Sequence, residues 1–65
     1  MSSYRVYCLD GAGQISLADW IDAESDEDAI TKARSTCPDK GRSEVWHRKL
    51  LIAKINSQGV ERFPR

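Results

Sequence analysis

Apolar residues recur along this chain with two different periods. From Tyr4 to Leu9 they alternate, which predicts a strand with Tyr4, Val6 and Cys8 on one face and Arg5, Tyr7 and Leu9 on the other. Asp10-Gly11-Ala12-Gly13-Gln14 follows with two glycines able to take positive φ, and Ile15, Leu17 and the Trp20-Ile21 pair then resume apolar spacing. The segment therefore predicts a β-hairpin. Adjacent Trp20 and Ile21 break the alternation and predict a bulge, or a strand end buried on both sides.

The period then changes. Ser25 has the character of an N-cap, Asp28 stands three residues on where a capping box places a carboxylate, and Asp26, Glu27 and Asp28 sit at the positive end of the helix they open. A helix is predicted from Asp26 to Thr36 or Cys37. Ala29, Ala33 and Cys37 at i, i+4 and i+8, with Ile30 beside them, form a narrow stripe of small residues that lets the helix approach a sheet closely. Asp28 and Lys32 are spaced for a solvent-side ion pair, and the Arg34 stem for lying along the stripe next to Ile30. Pro38 ends the helix and Gly41 helps turn the chain.

Ser43 to His47 predicts a short strand, Arg48-Lys49 a tight connection, and Leu50 to Ile55 the most hydrophobic and central strand. That connection lacks the glycine or asparagine that tight hairpins prefer. Asn56-Ser57-Gln58-Gly59 closes the domain, and residues 57–65 read as a frayed tail, the alternative being that Val60 and Phe63 pack back as lids on the second sheet face. The expected fold class is α+β: a ββαββ unit with a four-stranded, mainly antiparallel sheet and one helix on one face, in a single domain over residues 1–65 whose ordered core spans 4–56. Strand order is open at this level.

Size and charge restrict what such a unit can do. Sixty-five residues lie in the range where the buried fraction of surface is lowest, so few large apolar side chains are spare for an enclosed ligand cavity. The formal net charge is zero, yet residues 1–31 hold seven of the ten acids and residues 32–65 nine of the ten bases. Complementary faces within one fold, two copies of the chain, or a basic patch for a polyanion would each use this division. The apolar run from Leu50 to Ala53 is too short to cross a bilayer. Two cysteines and a start without a long apolar stretch favour a reducing, cytoplasmic location.

One helix covers one sheet face, whereas the first and last predicted strands are apolar on both. The expected function is accordingly non-enzymatic: a small protein-interaction or self-associating module, with a homodimer or protein partner on the uncovered face and Tyr7, Trp20, Trp46, Leu51 and Ile55 as candidate interface residues. The alternative is weak nucleic-acid binding through the basic segment Lys40, Arg42, Trp46, His47, Arg48, Lys49 and Lys54, which mixes cations with one stacking side chain. No recognition helix, zinc finger or GXXG pattern accompanies it. His47 is the only histidine, and no Ser/His/Asp or Cys/His arrangement can be read from its surroundings. Cys8, Cys37 and His47 with a carboxylate would make a tetrahedral metal site only without the close spacing such sites normally show, and both cysteines read as small core hydrophobes. No catalytic residue, cofactor or metal is expected. The Asp10 to Gln14 loop leads into a strand and is a hairpin turn, not a phosphate loop, and Asp26 to Asp28 lack the glycine and distal glutamate of a calcium loop.

Tyr4, Tyr7, Leu9, Asp10, Gly13, Trp20, Ala29, Ala33, Trp46 and Ile55 together resemble a group of small uncharacterised bacterial proteins, mainly of alphaproteobacteria. These open with a Tyr-x-x-Tyr/Phe-x-Leu-Asp-x-x-Gly strand and turn and end with a Trp-bearing hairpin. The resemblance implies a bacterial cytoplasmic origin and the fold above, and transfers no activity. Where that group often carries glycine in the last hairpin turn, this chain has His47-Arg48-Lys49.

Overall fold

The computed structural model describes residues 1–37 and 41–63. Pro38 and Lys40 lie outside the described residues. Strand β1 (Ser2–Leu9) and strand β2 (Ile15–Ala23) form the first hairpin, helix α1 (Asp26–Thr36) follows, and β3 (Ser43–His47), β4 (Leu50–Asn56) and β5 (Gly59–Arg62) complete an antiparallel meander. One five-stranded sheet results, in the order β2-β1-β3-β4-β5. This corrects the four-stranded expectation. Gly59 to Arg62 pair with β4 through Asn56↔Gly59 to Ala53↔Arg62, so the middle of the supposed tail is a strand. Gly59 at φ 149° makes the turn into it, and the Phe63 amide donates to the Ile52 carbonyl at 2.9 Å beyond it.

The centre of the sheet also differs from expectation. The short β3 lies in the middle, with β1 and β4 beside it. Because β1 runs antiparallel to both β2 and β3, those two run parallel with β1 between them, and the helix makes the crossover. Hydrophobicity misled here: β4 is the most apolar strand, yet the five-residue β3 takes the centre and carries Val45, one of the two largest fully buried side chains.

The core lies between the sheet and α1. Tyr4, Val6 and Cys8 meet Ala29, Ile30 and Ala33 of the helix, together with Ala23, Val45, Ile52, Ala53 and Ile55. The small side chains of Ala29 and Ala33 let the helix backbone approach the sheet closely. Ile52 and Ala53 are neighbours in sequence yet both buried, because a bulge opposite Val45 and Trp46 makes Ile52 an extra residue on β4. A second irregularity, between Cys8 and Leu9, makes Ser16 extra on β2, and its hydroxyl donates to the Cys8 carbonyl at 3.1 Å. No irregularity occurs at Trp20-Ile21: the register is unbroken there, Trp20 is 63% exposed, and only Ile21 faces the core.

Local chemistry fixes the ends of the elements. Asp10 Oδ1 accepts from the amides of Ala12 and Gln14, both at 2.9 Å, and Gly13 at φ 81° completes the first turn. Ser25 caps α1 by accepting from the Asp28 amide at 3.1 Å, and the Asp28 carboxylate accepts in turn from the amide of Glu24, one residue before the cap, at 3.1 Å. Asp28 also pairs with Lys32 at 3.3 Å. A bidentate contact joins Arg62 of β5 to Glu27 of the helix, both bonds at 2.7 Å. Part of the sequence's charge division is thus matched inside one fold.

Cys8 and Cys37 form a disulfide between β1 and the C-cap of the helix. Their reading as unpaired core hydrophobes is corrected, although Cys8 is buried as that reading requires. Two small side chains facing each other across the helix–strand contact are placed for either outcome, and their spacing in sequence carries no sign of the pairing. Disulfides persist in oxidising compartments, so the low cysteine count no longer argues for a reducing one. Among the described residues, no helix is long and apolar enough to cross a membrane.

Candidate functional site

On the sheet face away from α1, side chains gather with no covering element among the described residues. Register sets a row across four strands: Trp20 opposite Arg5, Arg5 opposite Trp46, and Trp46 opposite Leu51. The neighbouring row runs Ala18, Tyr7, Glu44, Lys54, Glu61. The Arg5 guanidinium carbon lies 4.8 Å from the Trp20 ring centroid and 5.5 Å from that of Tyr7. Planar guanidinium over an indole face is attractive through the ring quadrupole, and keeps a broad aromatic surface wettable. Arg5, Tyr7, Trp20, Trp46 and Arg48 line a shallow depression of about 550 Å³ on this face.

Trp46 is oriented by its indole N–H, which donates to Glu44 Oε1 at 3.0 Å. Arg48 enters from the β3–β4 turn with φ 60°, the one described non-glycine residue in the left-handed region. An L-residue there costs about 1–2 kcal/mol, so the turn position that usually favours glycine instead holds a cation beside Trp46. Neither Arg5 nor Arg48 has a carboxylate partner among the described residues.

Of the candidate interface residues, Tyr7, Trp20, Trp46 and Leu51 share this face. Ile55 does not. It is buried on the helix side among the core residues, because Ile55 pairs with Ser43 and Val60 in the row that faces α1. Arg5 was missed. The turn alone does not reveal it: an unbroken ladder from Leu9↔Ile15 would set Arg5 opposite Asp19, and the extra residue Ser16 on β2 moves it opposite Trp20.

The basic segment does not form one patch. Arg42 stands at the first-turn end, next to Gly13, whereas Arg48 and Lys49 stand at the opposite end of β3, about 20 Å away at the rise of an extended strand. His47 faces the helix side and stacks on Tyr4 with ring centroids 4.6 Å apart, and the Tyr4 hydroxyl donates to Asp26 at 2.8 Å. Lys54 lies opposite Glu44 in register and 5.9 Å from the Phe63 ring. Lys40 falls outside the described residues. Only Trp46 and Arg48 of that set belong to the depression.

Electrostatic perturbation is concentrated on the other side of the molecule. The hydrogen bond from Arg62 holds the Glu27 carboxyl below its ordinary value, and the Glu24 amide does the same for Asp28 with help from Lys32. Glu27 ties the helix to β5 and Asp28 holds a backbone amide at the helix start. Among the described residues, no three metal-ligating side chains come together.

No family model matches the chain, and no curated protein or solved structure is significantly similar to it. The chemistry of the open face therefore carries the functional reading.

Proposed function

We propose that this chain is a non-catalytic protein-interaction module that binds through the sheet face opposite α1. The observation carrying this reading is the row Trp20, Arg5, Trp46 and Leu51 with Tyr7 beside it, presented on a rigid sheet and covered by no element among the described residues. Trp, Tyr and Arg are the residue types that dominate interface energetics, and their position on three hydrogen-bonded strands lowers the ordering cost of binding. Nucleic-acid binding through the basic segment 40–54 draws less support, because Arg42 and Arg48 stand beyond opposite ends of β3 and Glu44 and Glu61 share the open face.

The test is solution mass by light-scattering chromatography at about 50 and about 500 mM salt, with a short duplex in a parallel run and with Trp20→Ser beside the wild type. A salt-tolerant dimer lost in Trp20→Ser places self-association on this face, and a monomer indifferent to salt and duplex leaves a separate protein as the partner. A monomer that shifts with the duplex at low salt contradicts the proposal.

A further inference from the structure

We infer that the partner of this face is an acidic protein segment carrying an aromatic or aliphatic side chain, seated over the Arg5–Arg48 end of the sheet, an inference that rests on the open-face reading above. Two guanidiniums converge on one depression with Tyr7, Trp20 and Trp46. Arg5 is held there by its stack on Trp20 and Tyr7, and Arg48 by a backbone conformation that glycine would adopt at lower cost. The acids one row away on this face are each already engaged: Glu44 accepts from the Trp46 indole and stands opposite Lys54, and Asp22 accepts from the Ser3 hydroxyl at 3.0 Å. The depression thus offers cationic donors with a fork geometry suited to carboxylate, and an aromatic floor for an apolar side chain.

Charge also separates the possible occupants. A second copy stacked face to face about a two-fold axis through this depression would bring four guanidiniums together, an arrangement penalised by like-charge repulsion. Pairing at the free edge of β2 is discouraged as well: the Trp20 amide there is already held by the Asp19 side chain at 2.9 Å, and the strand carries Asp19 and Asp22 without a base. A phosphate polymer would meet Glu44 and Glu61 as it crossed toward β5. A short acidic segment over β2, β1 and β3 avoids all three conflicts.

The experiment follows intrinsic tryptophan emission while the intact chain is titrated with an end-blocked peptide in which glutamates flank one phenylalanine, with its glutamine counterpart, and with oligothymidylate. The acidic peptide should bind, lose about tenfold in affinity between about 50 and 500 mM salt, and lose about tenfold in an Arg5→Gln/Arg48→Asn variant whose circular dichroism is unchanged. Asparagine tolerates the left-handed backbone, so that variant keeps the turn. Equal binding of the glutamine peptide would retain the open face and overturn the acidic partner. Absence of binding by either peptide would overturn the acidic partner while leaving the open-face reading to the solution-mass result. Preference for oligothymidylate would overturn both.

Discussion

Reduction of the Cys8–Cys37 disulfide should remove a large share of the folding free energy. The bridge closes a separation of 29 residues, and the loop-entropy relation assigns such a crosslink about 3.5 kcal/mol. A chain of this length has a net stability of only about 3–10 kcal/mol at usual per-residue values. Its core offers little in reserve, since Val6 and Val45 are the largest fully buried side chains and alanine supplies four of the remaining core positions. With an unfolding entropy of about 2.1 cal/mol/K per residue, a loss of 3.5 kcal/mol lowers Tm by about 25 °C. The assay is thermal unfolding by circular dichroism with and without a phosphine reductant, after mass spectrometry has confirmed the oxidised state. Cys8→Ala/Cys37→Ala serves as the constitutively unbridged chain. A shift of only a few degrees in both samples would refute the reasoning, because the loop constraint would then contribute nothing and the helix–sheet contact alone would hold the fold.

Three further outcomes follow from the geometry. Arg48→Gly should raise stability by about 0.5–1 kcal/mol, measured by chemical denaturation, since the left-handed position is relieved at some cost in unfolded-chain entropy. Trp20→Ala should change stability by less than about 1 kcal/mol, whereas Val45→Ala should cost about 2–3 kcal/mol from lost burial and a residual cavity; equal effects would contradict the assignment of the two faces. Glu27 and Asp28 have folded-state pKa values below their ordinary ones, so their contribution is present above the unfolded pKa, near pH 4, and is lost as pH falls through the folded values. Stability measured by denaturant titration should therefore decline below about pH 4, and Glu27→Gln should flatten that decline.

Much of the fold was legible because local signals and periodicity agreed. Ser25, Asp28 and the alanine stripe marked α1, and Asp10 with Gly13 marked the first hairpin, where turn chemistry is written in adjacent residues. What escaped were relations between distant residues. Val60 and Arg62 look like tail residues until β4 offers a ladder and Glu27 an ion pair. The Trp20-Ile21 pair looked like a break in pattern because both are large and apolar, yet one simply points to solvent. Arg5 and Trp20 lie far apart in sequence, and their contact depends on the one-residue register shift that the extra Ser16 introduces after the turn. Ile55 was assigned to the wrong face because the bulge at Ile52 reverses the alternation along β4. The pairing of Cys8 with Cys37 required the helix to end over β1, which no spacing rule expresses.

The open face is tested most directly by side-chain nuclear magnetic resonance during titration with the glutamate–phenylalanine peptide. The indole N–H signals of Trp20 and Trp46 and the guanidinium signals of Arg5 and Arg48 should move together, while the methyls of Ala29 and Ala33 beneath the helix stay fixed. Movement confined to the helix side, or to residues of β5, would contradict the account.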